Sequence, residues 1–192
     1  CVGKIADYLS SLCLWRTART CVAHTFGRQA LPIVWDFGEM NPFAGSAGDW
    51  SEAVSYISLF IKSAQQSVAA PQNTVAEQAD ATKHSLPTNS ADLFFTDPPY
   101  YDAVVYAELS DYFYVWLKRA IPKEYAEPFA TILTPKDRQV VVYHPNSEEE
   151  KRHYECLMGE ALSEGRRMLK PSGTGVIVFA HKSTSGWETM LQ

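Results

Sequence analysis

A short apolar run, Asp92-Leu93-Phe94-Phe95-Thr96, is shut off abruptly by Asp97-Pro98-Pro99-Tyr100. The run is too short for a helix, and two consecutive prolines cannot continue a ladder, so it reads as a strand with a hard stop. An unbroken apolar strand of this kind suits a sheet covered on both faces. A second one, Gly175-Val176-Ile177-Val178-Phe179-Ala180, follows later. Between them lie an aromatic-rich helical stretch over 107–120 and a longer helix to Leu169, opened by Ser147 and Glu150 as a capping box. A turn at Pro171-Ser172-Gly173 is expected to end that helix. Strand, helix, helix, turn, strand is the rhythm of an open α/β sheet.

The remainder is less periodic. Residues 2–15 carry Ile5, Leu9, Leu12 and Trp15 near helical spacing, followed by a basic run of Arg16, Arg19, His24 and Arg28. Residues 1–48 are read as an irregular segment and 49–192 as the α/β core of a single domain. Asp49 or Ser51 caps a helix with Ala53, Val54, Ile57, Phe60 and Ile61 on one face. A short strand is expected at 74–76, loop over 80–90, and mostly loop over 122–145 with a strand at 140–143. Phe113 and Trp116 are assigned to the core, and the histidines 24, 84, 144 and 153 to surface or loop.

Composition narrows the function classes. A chain of 192 residues can bury roughly 70% of its unfolded surface, so it needs neither disulfide nor metal to hold a core. No run of apolar residues is long enough to span a membrane, and no membrane partner is expected. The net charge of −5 is not the footprint of a protein that grips nucleic acid by charge alone, so any such partner must meet local cations. Cys1, Cys13, Cys21 and Cys156 read as reduced thiols of a cytoplasmic protein. Cys13, Cys21 and His24 lack the close cysteine pair of a structural zinc site, and no metal is expected. The start at Cys1, without initiator Met or signal pattern, and the stop soon after Trp187 read as cuts in a longer protein.

The chemistry lies in the Asp-Pro-Pro-Tyr turn, at the place where open α/β sheets put their sites, just past the carboxyl end of a strand. An exocyclic amine on a nucleobase is a poor nucleophile because its lone pair is delocalised into the ring. Two acceptors, each taking one of its N–H groups, favour a pyramidal nitrogen and release that lone pair. Asp97 can supply a carboxylate oxygen and Pro98 a backbone carbonyl, with Pro98 and Pro99 fixing the backbone without competing donors. Tyr100 offers a face for stacking, worth about 1–3 kcal/mol per base, against the few kcal/mol needed to extract a base from a duplex.

This turn, with Thr96 before it and Tyr101-Asp102 after it, resembles the signature of amino-methyltransferases that use S-adenosylmethionine. Together with the run from Tyr106-Ala107-Glu108 to Trp116-Leu117, it is similar to the large prokaryotic family of adenine-specific DNA methylases with an embedded zinc ribbon. Arg28-Gln29-Ala30-Leu31-Pro32, Trp35-Asp36-Phe37, Asn41-Pro42-Phe43 and Phe179-Ala180-His181-Lys182-Ser183 match that family in the same order. The resemblance implies part of a Rossmann-like methyltransferase open sheet. It also implies S-adenosylmethionine as cofactor, DNA (or RNA) as partner, and methyl transfer to N6 of adenine. Asp97, Pro98, Pro99 and Tyr100 are the implied catalytic turn. Asp80, seventeen residues ahead of Asp97, fits the acid that receives the cofactor's adenine; Tyr101 and His181 are candidates for the base pocket. The glycine-rich cofactor loop and the zinc ribbon are expected upstream in the same polypeptide.

Several features admit plainer readings. Asn41-Pro42-Phe43-Ala44-Gly45-Ser46-Ala47-Gly48 resembles the loop that cradles the cofactor's methionine, but such loops leave a clean apolar strand and 35–40 is not one. Tyr101 and Asp102 serve a turn as readily as a pocket. Glu148, Glu149 and Glu150 complement a helix dipole, as do Arg166, Arg167 and Lys170 at the other end. Two other functions share these residues: methylation of an RNA base, and a nucleic-acid-binding module without catalysis.

Overall fold

The computed structural model describes residues 1–46, 48–67, 75–102, 104–137, 139–180, 184 and 187–188. It is mixed α/β, with two sheets of two strands each among those residues. The chain divides into two compact units: Cys1–Thr74 with Tyr106–Lys136, and Val75–Val105 with Asp137–Gln192.

In the first unit the opening helix, α1 (Val2–Leu9), stops well before Trp15. Ser10 is extended and its Oγ accepts from Leu12 N at 2.9 Å, the local bond by which serine competes with a helix. Trp15 instead opens a hairpin, β1 (Trp15–Arg16) against β2 (Cys21–Val22), around a 3-10 turn at Thr17–Arg19. Asp7 anchors the returning chain: its carboxylate meets Phe26 N at 3.1 Å and His24 Nδ1 at 2.6 Å, and its carbonyl accepts from the buried Thr25.

The second helix, α2 (Trp50–Ser67), is capped by Asp49, whose Oδ1 takes Glu52 N at 2.7 Å. Its apolar face is only partly used. Ala53 is buried, but Val54, Ile57, Phe60 and Ile61 are exposed. The third helix, α3 (Tyr106–Ala120), is tied to α1 by Tyr112, whose hydroxyl donates to Ala6 O at 2.7 Å. Its buried aromatic is Tyr114, bonded to Thr131, whereas Trp116, expected in the core, is 46% exposed. Asp111 gathers the chain beyond α3 through Thr134 and Lys136. Desolvation works to raise its carboxyl pKa, but the hydrogen bonds from Lys136 and Thr134 outweigh it and the net shift is downward.

The second unit is built on β3 (Ala91–Thr96) and β4 (Leu169–Ile177), parallel neighbours backed by α4 (Glu148–Met168). Ser147 caps α4 as expected, accepting from Glu150 N. The Glu150 carboxylate, however, takes the amides of Tyr143 and His144 at 2.7 and 2.8 Å instead of closing a capping box. That use of the 143–144 amides accompanies the absence of the expected strand at 140–143; Val142 N reaches Tyr101 O instead. Val75 and Ala76 also form no strand, and Thr74 lies outside the described residues.

β4 starts directly at Leu169, without a turn. Pro171-Ser172-Gly173 sits inside the strand as a bulge between the Ala91↔Leu169 and Leu93↔Thr174 pairs. A Cβ at Gly173 would lie 2.6 Å from the Leu169 side chain and 3.0 Å from Asp92 O, so a larger residue in the bulge would have to push both aside. Phe94 turns to α4 and fills the space over Gly165, where a Cβ would lie 2.5 Å from its ring. The opposite face is uncovered: Leu93 is 58% and Phe95 64% exposed, so the strand is not buried on both sides. The buried cluster of this unit is Val142, Tyr154 and Met158, with Tyr101, Val140 and Leu162 against it. No helix among the described residues is long and apolar enough to cross a membrane.

Candidate active site

The last ladder contact of the pair runs from Val178 N to Thr96 O, at 2.8 Å, and the chain enters Asp97 immediately after it. Period two puts Asp97 on the face of Leu93 and Phe95, away from α4. Its side chain is exposed, and among the described residues nothing bonds to or pairs with its carboxylate. Pro98 is buried, and no described donor bonds its carbonyl. The Pro99 carbonyl is occupied, accepting from Tyr154 Oη at 2.8 Å. One turn therefore holds two open acceptors in succession and a third that anchors it to α4.

The two tyrosines diverge. Tyr100 meets Phe179 edge-on with ring centroids 5.5 Å apart, and Phe179 in turn meets Trp187 at 5.2 Å. Tyr101 has φ +39°, a left-handed conformation uncommon in a bulky side chain. It packs edge-on against Tyr154 at 5.0 Å and belongs to the buried cluster. Burial pushes its phenol above the ordinary value. Its visible work is in the turn and the core, whereas Tyr100 stands with the aromatic group at the strand ends.

Asp80 is elsewhere on the unit. Its Oδ1 accepts from Thr82 N at 2.9 Å and Thr82 Oγ1 at 2.7 Å, closing its own turn. That turn leads to His84, whose amide donates to Glu164. Glu164 is ten residues beyond Tyr154 on α4, about 15 Å along the helix. Asp97, Pro98, Pro99 and Tyr100 thus stand together in one turn, while the bonds seen for Asp80 Oδ1 lie within its own turn. His181 lies outside the described residues.

The reading from residue types missed Tyr154, which immobilises the turn, and Phe179, which fixes the edge of Tyr100. Tyr154 had a signal, standing at i, i+4 and i+8 with Met158 and Leu162 on the buried side of a helix. Among the described residues no group of three or more His, Cys, Asp or Glu side chains could hold a metal ion. Cys13 is buried, its Sγ 3.0 Å from Tyr8 O, and His24 is bonded to Asp7. Comparison of the chain with protein-family models, curated proteins and solved structures finds no match.

Proposed function

We propose that this chain carries the catalytic turn of an S-adenosylmethionine-dependent amino-methyltransferase of DNA, acting on N6 of adenine. In this reading β3 and β4 are adjacent strands of a Rossmann-like open sheet. What carries the reading is the Asp97 carboxylate beside the Pro98 carbonyl, both without a partner among the described residues, on a turn anchored by Tyr154 at the carboxyl end of a parallel strand. An amine presented there can give one N–H to each acceptor. The base that bears it can stack on Tyr100, whose ring is held by Phe179. The turn needs no strong base, because the amine can lose its proton to solvent.

The cofactor does not fit the residues described. Asp80 gives its Oδ1 to Thr82, and the turn it closes leads to His84, whose amide is held by Glu164 of α4. The Gly45 loop follows no strand and belongs to the other unit. The groups that hold the cofactor are therefore assigned to other parts of the polypeptide, and no step is routed through it here.

The test is to incubate the intact polypeptide with radiolabelled S-adenosylmethionine and unmethylated DNA or RNA, then identify the labelled nucleoside. Label in N6-methyladenine from DNA, abolished by Asp97→Ala, is the expected result. Label only in RNA would move the substrate class. No label on either polymer would overturn the enzyme reading in favour of a nucleic-acid-binding module.

A further inference from the structure

The first unit contains an open cavity of about 540 Å³ that methyl transfer does not use. Its apolar walls are Phe26, Leu109 and Phe113, with Tyr106 beside them. Phe26 and Phe113 are 5.1 Å apart at 35°, and Tyr112 holds Phe26 from behind at 78°, so the aromatic wall is braced. Arg28 and Gln29 lie along the same cavity, both exposed. Among the described residues nothing pairs with the Arg28 guanidinium or the Gln29 amide. Other polar side chains of this unit are committed, among them Asp111 to Thr134 and Lys136, His24 to Asp7 and Lys118 to Thr131, while Arg16 and Arg19, like Arg28, keep their cations unpaired among the described residues.

Flat rings beside an unspent amide and an unspent cation form the complement of one kind of ligand. A nucleobase stacks on aromatic faces irrespective of sequence. A glutamine amide, with donor and acceptor side by side, matches the N6 and N7 edge of adenine. A guanidinium matches the phosphate that follows. The volume falls in the range of small-molecule sites and accommodates one nucleotide.

We infer that the cavity bounded by Phe26, Tyr106, Phe113, Arg28 and Gln29 is a second base-binding site, taking one unpaired adenine nucleotide of a nucleic acid. The ring stacks among Phe26, Phe113 and Tyr106, Gln29 takes its edge, and Arg28 meets its phosphate. It goes beyond the methyltransferase reading, since it requires nucleic-acid binding but neither cofactor nor Asp97.

Fluorescence anisotropy with labelled single-stranded 12-mers of dA, of dT and of an abasic sugar–phosphate chain tests it on the 192-residue protein. The dA strand is expected to bind about tenfold or more tighter than the abasic strand of equal charge. Tyr106→Ala should weaken dA binding several-fold, and Gln29→Ala should remove the preference for dA over dT. Both side chains are exposed, so thermal melting should be unchanged and the fold remain intact. Arg28→Ala should weaken all three strands alike, while Arg19→Ala, which removes the same charge at another cavity, should leave the base preference intact. Equal affinity for dA and abasic strands, no binding of any strand, or indifference to Tyr106→Ala and Gln29→Ala would each overturn the site. Loss of base preference with Asp97→Ala alone would assign the binding to the catalytic turn instead. Methyl transfer is read separately, so either inference can fail without the other.

Discussion

The two ends of β3 are built on opposite plans. At its amino end a network of polar groups is engaged. Asn89 N and Ser90 N donate to Arg167 O and Met168 O, Lys170 pairs with Asp92, and Arg167 spans Glu164, Thr88 and the carbonyls of His84 and Leu86. At its carboxyl end the chain leaves the ladder into a turn whose Asp97 carboxylate and Pro98 carbonyl have no described partner. One end closes its hydrogen bonds within the protein; the other holds acceptors open on an immobilised backbone. An exposed acceptor next to water costs little to leave unpaired, so the open end is compatible with stability and available for chemistry.

If that contrast is right, the two ends should respond to mutation in different currencies. The largest expected effect is Asp97→Ala, which should lower methyl transfer on the order of 10²–10³-fold, as removal of one preorganised transition-state contact does elsewhere. Its thermal unfolding midpoint should stay that of the wild type. Equal loss of activity and stability would erase the distinction. Next is Gly165→Ala, where the added methyl meets the Phe94 ring; overpacking of this kind costs about 1–3 kcal/mol, read from denaturant unfolding. Neutral behaviour there would mean that Phe94 does not seal α4 onto the strand.

Tyr154→Phe tests the join between the two ends. Losing the hydroxyl that holds Pro99 O should cost about 1 kcal/mol of stability and lower turnover more than substrate affinity. A purely structural tyrosine would leave the kinetic split unmoved. The smallest effect is a titration. Hydrogen bonds from Arg167, then from the His84 amide, hold the Glu164 carboxyl down from 4.5 to about 2. A depressed acid stabilises the fold above its unfolded value, so this tie is complete above about pH 4.5 and is lost as pH falls toward 2. A carbon-detected carboxyl titration of Glu164 should therefore have its midpoint well below that of an ordinary glutamate, and a midpoint near 4.5 would dissolve the amino-end network.

What the residues made legible follows the same division. The strand at 91–96, the stop at Pro98 and Pro99, the cap at Ser147 and the helices at 106–120 and 148–168 all rest on short-range rules, and all were readable from spacing. Pairings across long stretches of chain were not. Arg167 looks like a cation answering a helix dipole until the 84–88 segment is laid beside it. Glu150 looks like half of a capping box until the amides at 143 and 144 arrive first. Burial failed for a different reason. Apolar residues at helical spacing on α2 and in an unbroken run on β3 mark faces that can be covered, and nothing local states what covers them. The Asp97 turn was visible because the chemistry proposed for it needs consecutive residues, whereas the Phe26 and Gln29 cavity joins segments some eighty residues apart.

The bulge in β4 separates the site from the chain before it. Between the pairs Ala91↔Leu169 and Leu93↔Thr174, β3 advances 93 − 91 = 2 residues while β4 advances 174 − 169 = 5. The surplus residues are taken up in the bulge, and from Leu93↔Thr174 the ladder runs without a break to Thr96↔Ile177. The register that delivers the chain to the Asp97 turn is thus set after the bulge. Slack in the length of the upstream chain is absorbed there, a buffer between the helix behind the strand and the residues at its end.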